Sequence, residues 1–263
     1  MWDYMHLKRN MSEDRDQVLS NMKGEMNTIE RLIPESVIPD DITGQSTLSL
    51  HLQRYEFAAK HVKGKRLLDI ACGVGYGTRL MVDKVNTINK ALGVDLSHDA
   101  VVYALRHYGN ERVRFLEQDA MTFTDEEGFD SIVSVETLEH VSEPAILAKR
   151  LIGLPRPGGV FIASVPTTPS MDVNPFHSHD FTEASFRDMV AVHGMREIAC
   201  LRQIQPYPLI KTVKREESRM KDMRQDLISY YLNHPAALIK RLWATLRYGF
   251  TNRYITIVWL KET

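Results

Sequence analysis

Apolar residues in the middle and at the end of the chain form short runs of strand length, and stretches with helical spacing separate most of them. The runs that predict strands are RLLDIA, KALGVDL, VRFLEQ, FDSIVSV, GGVFIASVP, REIACLRQI and YITIVWL. The helical stretches lie near 77–86, 98–109, 143–153 and 182–193. Strands that alternate with helices indicate an α/β protein with a parallel sheet covered on both faces.

Two regions have a different character. Residues 1–45 are polar and charged with loosely spaced Met and Leu, and residues 46–62 predict an amphipathic helix. Residues 206–250 are rich in Leu, Met, Arg and Lys and poor in Gly and Ser, which indicates a helical insertion rather than a linker. We therefore expect a helical cap or arm at 1–62, a core at 63–205 and 251–263, and an insertion at 206–250 that serves as a lid or an interface.

Composition and charge exclude several classes of protein. The 263 residues suit one large domain or one domain with an insertion. Thirty-three basic and 34 acidic residues argue against a wholly basic nucleic-acid binder, although a local patch stays open. Two cysteines, Cys72 and Cys200, exclude a disulfide framework and a cysteine-rich zinc site. Neither a signal peptide nor an apolar run of roughly 18 residues is visible, so we expect a cytoplasmic protein.

A glycine-rich segment follows the first predicted strand and precedes a helix. It reads Leu67-Leu68-Asp69-Ile70-Ala71-Cys72-Gly73-Val74-Gly75-Tyr76-Gly77. Glycines at alternate positions let the backbone turn sharply and approach a ligand, and this spacing differs from the Gly-x-Gly-x-x-Gly of dinucleotide binders. Asp69 would repel a pyrophosphate but could receive an ammonium group, directly or through water.

Two more carboxylates follow the next two strands. Asp95 ends the second predicted strand, where a carboxylate can accept hydrogen bonds from both hydroxyls of a ribose. Asp119 follows the third strand and could accept from an adenine amino group, although an Asp in this position is often only a helix N-cap.

Residues of about 65–165 resemble the class I S-adenosylmethionine-dependent methyltransferases, because the glycine loop, both carboxylates and the Pro157-Gly158-Gly159 turn match in order. The resemblance implies a Rossmann-like α/β fold, with a seven-stranded sheet in the order 3-2-1-4-5-7-6 and an antiparallel last strand. It also implies S-adenosyl-L-methionine as cofactor and S-adenosyl-L-homocysteine as product. The expected cofactor contacts are Tyr55, Asp69, Ala71, Gly73, Gly75, Gly77, Asp95, Leu96, Asp119, Ala120 and Glu136.

Acidic and histidine side chains follow the fourth and fifth predicted strands. If the segment after the fourth strand formed a helical turn, Glu136, Glu139 and His140 would share one face. His177 and His179 follow the fifth strand and therefore lie at the same edge of the sheet. Carboxylates and imidazoles suit Mg²⁺, Mn²⁺, Fe²⁺ or Zn²⁺, and such an ion would lower the pKa of an acceptor hydroxyl.

The Glu-x-x-Glu-His segment resembles a motif of two metal-dependent families, the small-RNA 3′-terminal 2′-O-methyltransferases and the ubiquinone-pathway O-methyltransferases. In the RNA family a further His in a His-x-Phe context completes the site, which His179 fits, with His177 as a spare candidate. The resemblance implies Mg²⁺, or Mn²⁺ or Zn²⁺, held by Glu136, Glu139, His140 and His179, of which Glu139, His140 and His179 would be catalytic. Two alternatives stay open: a metal-free general base at His140 or His179, and a purely structural role.

The remaining signals concern the acceptor. The His-x-x-Arg-Tyr-x-Phe-Ala pattern from His51 resembles bacterial surface-glycan and secondary-metabolite methyltransferases. In this interpretation Tyr55 covers the methionine end of the cofactor and Arg54 contacts its carboxylate. The alternative is that this helix only packs into the core. Residues 211–247 hold nine basic and four acidic residues, which fits a phosphate-bearing acceptor or an ordinary solvated helix. An apolar stripe within 235–250 could form a lid, a core-facing stripe, a homodimer face or a helix on a membrane surface.

These signals predict a metal-assisted O-methyltransferase that acts on a hydroxyl of a sugar or other small polar acceptor, in glycan or natural-product biosynthesis. An RNA 2′-O-methyltransferase is an alternative, although the near-neutral charge and the lack of an obvious RNA-binding module argue against it. A non-catalytic cofactor-binding subunit that docks through 235–250 is another. Without a metal, N-methylation of an amino sugar also stays open. The motifs describe the methyl donor and do not identify the acceptor.

Overall fold

The centre of the computed structural model, which describes residues 32–34, 37, 42–206 and 223–262, is one mixed β-sheet. Its strands are β1 (Arg66–Ile70), β2 (Lys90–Asp95), β3 (Val113–Glu117), β4 (Phe129–Val135), β5 (Pro155–Pro166), β6 (Met195–Pro206) and β7 (Thr251–Lys261). The seven strands lie in the order β3-β2-β1-β4-β5-β7-β6, and β7 is antiparallel to both β5 and β6. The predicted fold, strand order and antiparallel last strand are confirmed.

Helices cover the sheet and extend beyond it. They are α1 (Ile42–His61), α2 (Tyr76–Lys84), α3 (His98–Tyr108), α4 (Pro144–Gly153), α5 (Glu183–Ala191), α6 (Leu227–Asn233) and α7 (Pro235–Tyr248). Helix α1 begins four residues before the predicted start at 46. Most of the predicted N-terminal cap and residues 207–222 of the predicted insertion lie outside the described residues. None of the helices in the described ranges combines the length and the apolar character needed to cross a bilayer.

Both faces of the sheet are covered by buried apolar side chains, because neighbouring residues of a strand point to opposite faces. In β1, Leu67 and Leu68 are both fully buried and belong to different apolar clusters. One cluster joins Leu67 to Tyr55 of α1, and the other joins Leu68 to Trp259 of β7. Burial on both faces explains why these strands are continuous apolar runs instead of alternating ones.

Polar contacts fix helix α1 against the edge strand β6. The Nε of Arg54 donates to Oε1 of Gln203 at 2.8 Å, and Nε2 of Gln203 donates to the carbonyl oxygen of Leu50 at 3.2 Å. Nε2 of Gln205 donates to Oγ1 of Thr47 at 3.1 Å. Because both glutamines are buried, these hydrogen bonds hold α1 in one position relative to the sheet.

A buried carboxylate joins the insertion helices to the loop between β5 and α5, residues 167–182, which we call the β5–α5 loop. Asp172, which is 3% exposed, accepts from Nε of Arg241 at 2.8 Å and from its Nη2 at 2.5 Å. The hydroxyl of Tyr231 donates to the same carboxylate at 2.6 Å. Helices α6 and α7 are thereby fixed to the β5–α5 loop by one acidic residue.

Removal of the Asp172 carboxylate should destabilise the protein, because Arg241 would lose its charged partner in a largely buried position. We expect Asp172→Ala to lower the free energy of unfolding by about 3 kcal/mol, the low end for a broken buried ion pair, since the side chain of Arg241 is 24% exposed. Urea unfolding is the measurement. Asp99→Ala, which removes an exposed carboxylate on α3, is the control. Equal effects of the two substitutions would contradict this role of Asp172.

Candidate active site

A cavity of about 820 Å³ lies at the carboxyl ends of the parallel strands, within the size range of small-molecule sites. Its walls come from α1, the glycine loop, the turn after β4, the β5–α5 loop and the insertion helices. Of the predicted site residues, those that line the cavity are Tyr55, Ala71, Gly73, Asp95, Leu96, Glu136, Glu139 and His140. Those outside its lining are Asp69, Gly75, Gly77, Asp119, Ala120 and His179.

Two glycines of the loop allow close packing beneath the cavity. Gly75, at φ 87°, precedes helix α2, and a Cβ there would lie 2.6 Å from the ring of Phe115. A Cβ on Gly77 would lie 2.0 Å from the ring of Tyr55. Gly77 therefore allows the buried ring of Tyr55 to pack on the start of α2, while Tyr55 also lines the cavity. Neither glycine lines the cavity, and their predicted contacts with the cofactor stay predictions.

Asp95 is held in a fixed orientation at the end of β2. Its Oδ2 accepts from the backbone N–H of Gly73 at 2.8 Å, and its Oδ1 accepts from that of Ser97 at 2.9 Å. A carboxylate has lone pairs for further donors beyond these two. Because Asp95 lines the cavity, it can accept from two neighbouring hydroxyls of a ligand.

Asp69 does not line the cavity, so its position does not allow the direct contact with a ligand's ammonium group that was one of the two expected modes. It is fully buried, and its Oδ2 accepts from the hydroxyl of Thr78 at 2.6 Å. Burial raises the pKa of Asp69 to about 7, against the opposing effect of the Thr78 hydrogen bond. Its Oδ1 is buried and has no hydrogen-bond partner among the described residues. Of the two predicted modes, only contact through an intervening group is compatible with this position.

Asp119 and Ala120 also lie outside the cavity lining. The Oδ1 of Asp119 accepts from the backbone N–H of Met121 at 2.8 Å, and its carbonyl oxygen accepts from the N–H of Phe123 at 2.9 Å. Asp119 thus makes hydrogen bonds of a local turn, which is the alternative to ligand binding that an Asp after a strand offers. The predicted adenine contact stays a prediction.

The turn after β4 does not have the helical geometry on which the predicted four-residue metal site depended. Glu136 adopts a left-handed backbone, at φ 50°, so Glu136, Glu139 and His140 do not share the face of a helical turn. Oε1 of Glu136 accepts from the hydroxyl of Ser164 at 2.9 Å, and Oε2 lies 3.7 Å from Nη1 of Arg54. Glu136 is therefore corrected from a metal ligand to a cavity-lining residue held by its neighbours.

Arg54 explains part of this geometry. Its side chain is 1% exposed, and its guanidinium lies between Gln203, Glu136 and the ring of Tyr254, whose centroid is 4.2 Å away. Arg54 does not line the cavity. The structure thus gives Arg54 a position for orienting Glu136, and the predicted contact with a cofactor carboxylate stays a prediction.

Three donor groups do converge in the cavity: Glu139, His140 and His177, which we call the triad. Their nearest ligand atoms all lie within 4.8 Å of one another. Nδ1 of His140 donates to the carbonyl oxygen of Phe176 at 3.2 Å, so in the neutral ring Nε2 carries the lone pair. Nδ1 of His177 lies 2.7 Å from the hydroxyl of Ser170. In each ring Nδ1 thus has a hydrogen-bonding neighbour, and a hydrogen bond to the nitrogen that does not bind the ion is the support that metal-binding histidines commonly have.

His179 is not part of the triad, and the spare candidate His177 takes the place predicted for it. The backbone N–H groups of Ser178 and His179 both donate to the carbonyl oxygen of Glu139, at 2.7 and 3.2 Å. This crossing turns the ring of His177 towards His140, with ring centroids 4.8 Å apart. The ring of His179 instead lies near Phe181, and its Nδ1 has no hydrogen-bond partner in the described part of the chain.

The triad offers one carboxylate and two imidazoles, with room for further ligands on the cavity side. This donor set suits Mn²⁺, Fe²⁺ or Zn²⁺ better than Mg²⁺, which prefers oxygen ligands. The predicted metal site therefore fits the structure with three of the chain's side chains, of which two, Glu139 and His140, were predicted ligands. The lone pair on Nε2 of His140 also suits a metal-free general base.

Some cavity residues have no recognisable sequence signal. Tyr231 and Arg241 of the insertion line the same cavity as the triad, and both are hydrogen-bonded to Asp172. No motif relates Asp172 to a partner 69 residues later in the chain. Only the unexplained basic content of the insertion pointed to this region.

Comparison with known proteins relates the sequence to methyltransferases. Residues 68–163 match the methyltransferase domain family. A Mycolicibacterium smegmatis protein named "probable S-adenosylmethionine-dependent methyltransferase" is 25% identical over 179 residues, 61% of this chain and 68% of that protein. The ubiquinone biosynthesis O-methyltransferase of Paracidovorax citrulli is 30% identical over 110 residues, 40% of this chain and 45% of that enzyme. The chain thus aligns with less than half the length of the ubiquinone enzyme.

A solved structure with the same fold is the N-methyltransferase NodS of Bradyrhizobium japonicum in complex with S-adenosyl-L-homocysteine. Its TM-score is 0.57 at 11% sequence identity, and the alignment covers 93% of this chain and 98% of that one. At such low identity the likeness shows the fold alone. The domain match supports S-adenosylmethionine as the cofactor, whereas the relatives bear both O- and N-methyltransferase names.

The raised pKa of Asp69 predicts a pH-dependent stability difference. Between about pH 4 and 7 the unfolded chain ionises Asp69 while the folded protein keeps it protonated, so this residue contributes less stability as the pH rises. Relative to wild type, the free energy of unfolding of Asp69→Asn should rise by up to about 1.4 kcal/mol per pH unit in this window. Above pH 7 the difference between the two proteins should stay constant.

Urea unfolding of both proteins at several pH values measures this difference. Asp99→Asn, which makes the same substitution at an exposed aspartate of α3, is the matched control. A stability difference for Asp69→Asn that stays constant from pH 4 to 8 would mean that the folded protein keeps Asp69 ionised.

Proposed function

Since the chain carries a class I S-adenosylmethionine-dependent methyltransferase domain, we propose that it transfers a methyl group to a hydroxyl oxygen with the help of a divalent metal. The observation that supports this most is the convergence of Glu139, His140 and His177 in the cavity that the glycine loop also lines. A metal-ligand set beside a cofactor site has a direct use in activating a hydroxyl. The O-methyltransferase name of the ubiquinone relative supports the same choice of acceptor atom.

The cofactor half of the proposed site consists of the glycine loop, Asp95, Leu96 and Tyr55. Asp95 would accept both ribose hydroxyls, because Gly73 and Ser97 hold its carboxylate in place at the cavity wall. Tyr55 would cover the methionine end of the cofactor. The carboxyl ends of β1 and β2 are where open α/β sheets bind their ligands.

The acceptor half consists of the triad and the wall that the insertion forms. A bound divalent ion would lower the pKa of the acceptor hydroxyl, and the oxygen would then be a nucleophile at neutral pH. The carbonyl oxygen of Phe176 and the hydroxyl of Ser170 orient the two imidazoles, so Glu139, His140 and His177 need little rearrangement to hold the ion.

In the proposed reaction, the acceptor oxygen forms a bond to the methyl carbon as the carbon–sulfur bond breaks. Sulfur keeps the bonding electron pair, which yields S-adenosyl-L-homocysteine, and the hydroxyl proton passes to solvent. Alignment of oxygen, carbon and sulfur supplies much of the acceleration. The proposed acceptor is a small hydroxylated molecule, for which sugars remain the expectation from the sequence. Tyr231 and Arg241 are polar groups available to position it.

Calorimetric titration tests the metal site. Mn²⁺, Zn²⁺ and Mg²⁺ are titrated into protein saturated with S-adenosyl-L-homocysteine, and we expect one-to-one binding, with Mg²⁺ the weakest. Glu139→Gln should lower the metal affinity at least tenfold and leave the affinity for S-adenosyl-L-homocysteine unchanged. Glu143→Gln, which alters an exposed glutamate four residues away, is the matched control.

An activity assay completes this test by measuring the S-adenosyl-L-homocysteine released with sugars, catechols and amino sugars. Glu139→Gln should lower the rate with hydroxyl acceptors by about 100-fold or more. Full activity of this variant, or metal affinity equal to that of Glu143→Gln, would contradict the proposal. Transfer to amines alone, with no metal requirement, would instead favour N-methylation.

A further inference from the structure

The side of helices α6 and α7 that faces away from the cavity is apolar and exposed. We call it the outer face and define it by Ile228, Leu232, Ile239, Leu242, Trp243 and Leu246. Each of these side chains is more than half exposed, and Leu246 reaches 88%. The four residues on α7 have the spacing of a single helical face. An exposed apolar surface of this kind marks a site of interaction with a protein or a membrane.

The outer face cannot serve as a core-facing stripe, because the opposite side of α7 already faces the protein. Arg241 donates to Asp172 from this inner side, and Ala244 is buried there. Ala244 and Thr245 also line the active-site cavity. If α7 rotated to turn the outer face towards the core, the contacts of Arg241 with Asp172 would break. The outer face is therefore available to a partner outside the protein.

The charges around the outer face are basic. Between 227 and 250 the sequence contains Lys240, Arg241 and Arg247 and no Asp or Glu. Lys240 and Arg247 are exposed, and the guanidinium of Arg247 lies 5.7 Å from the ring centroid of Trp243. Residues 207–222, outside the described ranges, add five basic and three acidic residues to the same region of the sequence. A surface that complements this pattern offers apolar contacts to the outer face and negative charge to the basic residues at its border.

An anionic bilayer has these properties, whereas a second copy of the chain does not. In a symmetric dimer the same residues of both copies meet. Lys240 and Arg247 would then lie near their own counterparts, and the segment has no acidic residue to pair with them. Apolar residues with Trp on one side and Lys or Arg at the border are the pattern of helices that lie in a membrane interface.

We propose that the outer face docks on an anionic lipid bilayer, with α7 parallel to the membrane surface. The active-site cavity then lies directly behind α7, and Phe250, which lines the cavity and is 52% exposed, marks its rim near that helix. This position would give the triad access to an amphiphilic hydroxylated acceptor that is held in the bilayer. The choice of acceptor rests on the proposed function, whereas bilayer binding does not.

Co-sedimentation of the full chain with vesicles tests the docking. The vesicles consist either of phosphatidylcholine alone or of equal parts of phosphatidylcholine and phosphatidylglycerol. We expect binding to the anionic vesicles that weakens as salt is raised. Trp243→Glu/Leu246→Glu should reduce it at least tenfold, and Lys240→Glu should reduce it about fivefold.

Two controls separate docking from loss of structure. Val192→Glu changes another exposed apolar residue, 76% exposed at the end of α5, and should bind vesicles like wild type. All variants should keep the wild-type affinity for S-adenosyl-L-homocysteine. Absence of binding to the anionic vesicles would overturn the proposal. A concentration-dependent dimer that Trp243→Glu/Leu246→Glu abolishes would overturn it in favour of a second copy.

The outcome is distinguishable from that of the methyl-transfer proposal. Vesicle binding without metal binding at the triad would leave the docking surface intact and reject the proposed chemistry. If both hold, methyl transfer to a lipid-anchored catechol in anionic vesicles should fall at least tenfold with Trp243→Glu/Leu246→Glu. Transfer to a short water-soluble catechol should not change.

Discussion

The carbonyl oxygen of Glu139 is the point on which the candidate site depends. It accepts two backbone N–H groups, from Ser178 and His179, and so ties the β5–α5 loop across the turn after β4. This crossing brings His177 beside Glu139 and His140, which come from a different part of the chain. The same loop carries Asp172, which fixes the insertion helices. One pair of backbone hydrogen bonds therefore links the triad, the cavity wall and the outer face of α7.

Most of the fold could be predicted from the sequence, because apolar runs and helical spacing report burial directly. The strand order came from the resemblance that the glycine loop and Asp95 carried, and no periodicity alone would have supplied it. The position of the glycine loop, Asp95 and Leu96 at the cavity was predictable for a related reason: these residues follow strand ends, and a strand end fixes where the backbone goes. Asp69 and Asp119 show the limit of this reasoning, since a strand end does not determine whether a carboxylate turns towards the cavity or into its own neighbourhood.

The side of the cavity that holds the triad was less predictable, because it depends on backbone conformations that no spacing encodes. The left-handed backbone at Glu136 invalidated the helical-face argument and left Glu136 with Ser164 and Arg54. His177 and His179 are two residues apart, and only the loop crossing decides which one reaches His140. The contact of Asp172 with Arg241 joins distant parts of the sequence, and nothing in either segment predicts it.

The central claim is that one cavity holds both the methyl donor and the groups that activate its acceptor. Anomalous diffraction from crystals grown with Mn²⁺ and S-adenosyl-L-homocysteine tests it most directly. The account predicts a single manganese peak at ligand distance, about 2.0–2.3 Å, from Glu139, His140 and His177, with the sulfur of the product in the same cavity. A peak at Glu136 or His179, or no peak while S-adenosyl-L-homocysteine is bound, would contradict it.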